Sequence, residues 1–97
     1  MKTKIFIVIN PVAGFGNVTN IKKRLINLCT KSGIQADIYL TKPGGEGLAA
    51  EVRQAVINGN ELVLVCGGDG TISGAASGLV STGVPMAIIP IGTGNAL

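Results

Sequence analysis

The residues with the clearest chemical potential lie in the stretch LVLVCGGDGTISG, 62–74. An apolar run stops at Gly67, glycines frame the lone acid Asp69, and the hydroxyl of Thr71 opens the next segment. Glycines allow backbone N–H groups to approach a ligand closely, and a helix starting at Thr71 would add unpaired donors and a partial positive charge. Such a turn holds anions, and phosphate is the natural guest. A carboxylate beside bare phosphate is repulsive unless Mg²⁺ intervenes or a proton is being moved, so Asp69 points to a nucleotide site with metal or proton chemistry. A plain strand-to-helix turn, with Asp69 or Thr71 as the helix N-cap, stands beside that reading.

Two other phosphate motifs fail. The chain has no GxxxxGK[ST], which excludes a P-loop. GFGNVT at 14–19 starts like GxGxxG but ends in Thr19, and Thr41-Lys42 stands where a dinucleotide site would place an acid for the ribose. A dinucleotide-dependent dehydrogenase is disfavoured on both counts.

These loops need elements to hold them. KIFIVI (4–9) and ELVLVC (61–66) are continuous apolar runs suited to strands buried on both faces. QADIYL (35–40) alternates, with Ala36, Ile38 and Leu40 on one face, as in a strand nearer the side of a sheet, and PMAII (85–89) is the fourth strand. Val18, Ile21, Leu25 and Leu28 mark a helix over 18–31, ended by Ser32-Gly33. Leu48, Val52, Ala55 and Val56 mark a second, closed by Asn58-Gly59; Ile72, Ala76, Leu79 and Val80 share a face of a third. The order βαβαβαβ predicts an α/β fold: a parallel sheet of order 2-1-3-4 with helices on both faces. NPVAG, Thr41, GGDGT and PIGTGN each follow a strand, so all four would meet at the carboxyl ends, where such sheets bind ligands.

With 97 residues, 46% hydrophobic and 13% charged, the chain is apolar enough for a core and unlike a disordered segment. Cys29 and Cys66 lack CxxC spacing and no histidine is present, which favours buried reduced thiols over a metal site. Three aromatic residues make a poor stacking platform, so nucleic acid is not an expected partner. The first apolar run is too short for a signal peptide or membrane span, which suggests a cytoplasmic protein. Lys22, Lys23 and Arg24 read as a solvated helix face, with peripheral contact to anionic lipid as the second reading. A homodimer is left open. Gly94-Asn95-Ala96-Leu97 reads as a loop entering another helix, so we expect the chain to be the N-terminal part of a longer protein.

NPVAGFG (10–16), Thr41 followed by the Gly45-Glu46 pair, CGGDGTISGAASGL (66–79) and IPIGTGN (89–95) together resemble the diacylglycerol kinase-type lipid kinases, which include bacterial lipid kinases and sphingosine kinases. GGDGT alone is shared with NAD kinases and, in similar form, phosphofructokinases; the added NP…G and PxGTxN loops single out the lipid-kinase branch. The resemblance implies a flavodoxin- or phosphofructokinase-like three-layer sandwich. It further implies an ATP site lined by Asn10, Pro11, Val12, Ala13, Gly14, Thr41, Gly67, Gly68, Asp69, Gly70, Thr71, Ile72, Ser73 and Thr93. Asp69 would act there through Mg²⁺ or by assisting proton removal. Ser73-Gly74 stands where the family usually has an Asn-Glu pair, and Ala96 where an acid is common. The family carries a second, β-rich domain with the lipid pocket and another catalytic carboxylate; 1–97 would be the nucleotide-binding part, able to bind but not to turn over. An NAD-kinase-like enzyme and a non-catalytic nucleotide-binding module are the alternatives, and a purely structural domain would make four glycine-marked strand ends a coincidence.

Overall fold

The computed structural model describes residues 3–12 and 18–90. Four parallel strands, β1 (Thr3–Ile9), β2 (Ile34–Leu40), β3 (Leu62–Gly67) and β4 (Met86–Pro90), form one sheet in the order β2-β1-β3-β4. The order expected from the alternation of elements is the order found. β1 is central, and its unbroken run Ile5–Ile9 is buried because helices cover both faces. Among the described residues β2 has a neighbouring strand on one side only, and its burial alternates accordingly.

The helices are α1 (Val18–Lys31), α2 (Leu48–Ile57) and α3 (Asp69–Leu79). The chain steps one way from β1 to β2 and the opposite way from β2 to β3 and β4. With right-handed crossovers, helices of opposite steps fall on opposite faces. Two buried clusters show this division. Ile5, Ile7, Ile9 and Cys66 pack under Val18, Ile21, Leu25 and Cys29 of α1. Phe6, Val8, Val63 and Val65 pack under Leu48, Val52 and Ala55 of α2 and Ala75 of α3. Both cysteines are free and buried, and burial pushes the Cys66 thiol up from its ordinary value, as for an inert core residue.

Three expectations change in detail. Cys29, rather than Leu28, completes the buried stripe of α1; Leu28 is one helical step off it and is 63% exposed. The buried stripe of α3 is Thr71, Ala75 and Gly78, with Ile72 and Leu79 partly buried beside it. Val80 is 61% exposed because the helix stops at Leu79, whose carbonyl accepts from the backbone N–H and hydroxyl of Thr82.

The small residues of that stripe let α3 lie against α2 at close range. A Cβ on Gly78 would stand 2.5 Å from the Ala49 carbonyl oxygen and 2.9 Å from Val52 Cβ. Backbone cannot yield as a side-chain tip can. Gly78→Ala is therefore expected to destabilise the protein by about 1–3 kcal/mol despite alanine's better helix propensity. Urea unfolding checks this, and an unchanged or raised midpoint would contradict it.

Candidate functional site

The three described strand exits at the carboxyl end are tied to one another. Thr41 N–H donates to the Ile9 carbonyl at 2.9 Å and Asn10 N–H to the Cys66 carbonyl at 3.1 Å, carrying the ladder one residue beyond the strands. Asn10 Oδ1 accepts from Val12 N–H at 3.0 Å, closing an Asx turn. With Oδ1 so engaged, the amide nitrogen is directed at Thr71 Oγ1, 3.4 Å away, near the outer limit of a hydrogen bond. One side chain thus joins the loop after β1 to the GGDGT turn after β3.

The GGDGT turn is built differently from the capping expectation. α3 starts at Asp69 rather than Thr71, with Gly68 at the N-cap, and no side chain caps it. Neither Asp69 nor Thr71 serves as the cap. Asp69 occupies the first turn, where its carboxylate is favoured by the helix dipole, and it is exposed. Thr71 is buried, turned inward toward Asn10. The first-turn N–H groups therefore keep their bonding capacity for something outside the helix. Gly67 is required by close approach, since a Cβ there would lie 2.9 Å from Thr71 Cβ and Oγ1.

Two cavities open among these loops. One of about 330 Å³ is lined by Asn10, Pro11, Val12, Thr41, Lys42, Pro43 and Gly44. The other, of about 300 Å³, is lined by Asn10, Thr41, Gly44, Gly45, Gly70 and Thr71. They share Asn10, Thr41 and Gly44 and form a two-chambered cleft of ligand-pocket size. Of the residues named from the sequence, the structure gathers Asn10, Pro11, Val12, Thr41, Gly70 and Thr71 on this cleft. Gly67, Gly68 and Asp69 sit in the turn beside it, Ser73 is exposed on α3, and Ile72 packs against the core. Ala13, Gly14, Thr93 and the segment 94–97 lie outside the described residues.

Missed from the sequence as site residues were Lys42 and the short 3-10 turn Pro43–Gly45 that it precedes, which together wall both chambers. The signal was present: KPGG directly follows the second strand. Removing the tie between loops should show its worth. Asn10→Ala is expected to cost about 1–2 kcal/mol of stability and to weaken ligand binding in the cleft. A denaturation curve together with a nucleotide titration reads both, and no change in either would make the tie incidental.

As to metal, Mg²⁺ characteristically uses one or two carboxylates together with substrate phosphates and water. Asp69, exposed in the glycine turn at the start of α3 and without an ion-pair partner among the described residues, fits that donor set. Among the described residues no helix is long and apolar enough to cross a membrane.

Comparison with known proteins agrees with this geometry. The sequence model of the diacylglycerol kinase catalytic domain matches residues 4–97. A Synechocystis protein described as uncharacterised is 40% identical over 107 aligned residues, covering 98% of this chain and 24% of that one. A diacylglycerol kinase of Mycobacterium tuberculosis is 33% identical over 94 residues, covering 95% of this chain and 29% of that one. The crystal structure of a diacylglycerol kinase from Bacillus anthracis superimposes with a TM-score of 0.72 at 30% identity, over 93% of this chain and 31% of that one. The chain thus spans less than a third of the length of these relatives.

Proposed function

Because the chain belongs to the diacylglycerol kinase catalytic domain family, we propose that it forms the ATP-binding part of an enzyme that transfers the γ-phosphate to a lipid hydroxyl. The observation that carries this reading is the convergence of the Asn10 loop, Thr41 and the uncapped start of α3 on one cleft, with Asp69 at its side. The backbone N–H groups of Gly68 to Thr71 would bind phosphate oxygens, and Ile72 and Ser73 would take part through the same turn. Thr41, Asn10 to Gly14 and Thr93 would contact the rest of the nucleotide. Asp69 would hold Mg²⁺, which when bound neutralises phosphate charge, or would take the proton of the acceptor hydroxyl. The lipid acceptor would be bound by the part of the enzyme corresponding to what the relatives carry beyond the matched segment.

Phosphoryl transfer depends on holding donor and acceptor in line. The 97-residue chain is therefore expected to bind ATP and to transfer nothing, while the complete enzyme labels a lipid from radiolabelled ATP. Failure of the chain to bind ATP, or transfer by the chain alone, would overturn this division of labour.

A further inference from the structure

Among the described residues, ten line the two chambers, and of these only Lys42 carries a formal charge. Its backbone is fixed: the Lys42 carbonyl accepts from Gly45 N–H at 2.8 Å, and the residue caps the 3-10 turn in extended conformation. Its side chain has no hydrogen-bond or ion-pair partner among the described residues. An unpaired surface lysine is ordinary by itself. Its position is what distinguishes this one, because Lys42 walls the chamber that shares Asn10, Thr41 and Gly44 with the one containing Gly70 and Thr71. It also stands at the end of β2, where nucleotide-binding sheets that read a ribose hydroxyl place an acid. A cation there attracts phosphate and offers a sugar diol no carboxylate.

We propose that Lys42 is a specificity-determining residue of this cleft, its ammonium group binding a phosphate of the nucleotide so that the site reads phosphate charge. This rests on the ATP-binding reading above. The geometry suits it: α3 presents neutral donors from one side, Asp69 adds negative charge, and Lys42 supplies the balancing positive charge from the other chamber. An ammonium ion on a flexible stem serves as a point charge for phosphate and does not need the two-pronged geometry of a guanidinium.

The test is a ladder of equilibrium titrations with ATP, ADP, AMP and adenosine against the 97-residue chain, Lys42→Ala and Lys42→Arg. The wild type should bind ATP more tightly than AMP, and AMP more tightly than adenosine. Lys42→Ala should weaken ATP by about three- to tenfold, allowing for solvent screening of an exposed charge. It should leave adenosine unchanged and flatten the dependence of ATP binding on salt. Lys42→Arg should restore most of the loss. Equal weakening of ATP and adenosine would mean that the side chain only shapes the cavity, and no weakening of either would mean that it is solvated; each overturns the proposal. If the wild type binds no nucleotide, the ATP-binding reading itself falls, an outcome distinct from the other two. Because Lys42 is exposed, the variants should fold as the wild type does, and matching unfolding midpoints would confirm it.

Discussion

Asp69→Asn in the complete enzyme is expected to lower phosphoryl transfer by roughly 10²–10⁴-fold, the range removed with a general acid–base or metal-holding group. The substitution keeps the shape of the side chain and removes its charge. Asp69 is exposed in the first turn of α3 and caps nothing, so the fold should tolerate the change. The lost attraction between carboxylate and helix dipole costs only about 0.3–1 kcal/mol. Binding should respond in the opposite sense to turnover. Without metal the native carboxylate repels phosphate, so the variant should bind metal-free ATP as tightly as the wild type or more so. With Mg²⁺ that advantage should disappear. Calorimetry with and without Mg²⁺, alongside turnover, separates these effects. Near-normal turnover would leave Asp69 no chemical role.

The second large effect distinguishes two adjacent glycines that look equivalent in the sequence. Gly68→Val is expected to weaken ATP binding by roughly 10²–10³-fold, as if one or two charge-assisted backbone contacts were blocked, with little change in stability. At Gly68 the backbone is extended, with φ −99° and ψ −166°, and a Cβ would meet nothing within 4 Å among the described residues. Valine can adopt that conformation, so a loss of binding must come from the ligand's side. Gly67→Val should behave in the reverse manner. Its Cβ would strike the buried Thr71, so the fold itself should lose about 1–3 kcal/mol or more, and Thr71 would be pushed toward Asn10. Parallel unfolding curves and ATP titrations of the two variants provide the comparison. Tight binding by Gly68→Val would mean that no phosphate approaches this turn.

Much of the scaffold was legible because its signals are strong and local. Five consecutive apolar residues in β1 admit few readings other than a strand covered on both faces, and the helix spacing over 18–31 matches α1 end to end. The start of α3 was harder to read. Gly70 and Asp69 are poor helix formers, and only the fixed path out of β3 winds them into the first turn. The buried stripe of α3 departs from its hydrophobic spacing because contact with α2 selects for smallness: glycine at 78 is a packing residue there. At the site, the glycine-marked exits indicated where a ligand would sit, but not which neighbours would wall it. Lys42 and Pro43 join the cleft through the three-dimensional adjacency of β1 and β2, which no local pattern encodes. The tie from Asn10 to Thr71 spans 61 residues of sequence and is visible only once β1 and β3 lie side by side.

That placement of β1 also sets a timetable for the nascent chain. Ile5 pairs with Ala36 on one side and with Leu62 on the other. The β1–α1–β2 unit can close first, and the second side of β1 must then wait for roughly 26 more residues, on the order of 1–5 s at about 5–20 residues per second. During that interval the central strand, with its buried run Ile5–Ile9, presents an unpaired row of amides and carbonyls, the condition under which chains misassociate. Chains arrested on the ribosome between β2 and β3 should therefore engage holding chaperones more strongly than chains arrested after β4. Crosslinking at the two arrest points would reveal whether the site's central strand is also the most vulnerable part of its synthesis.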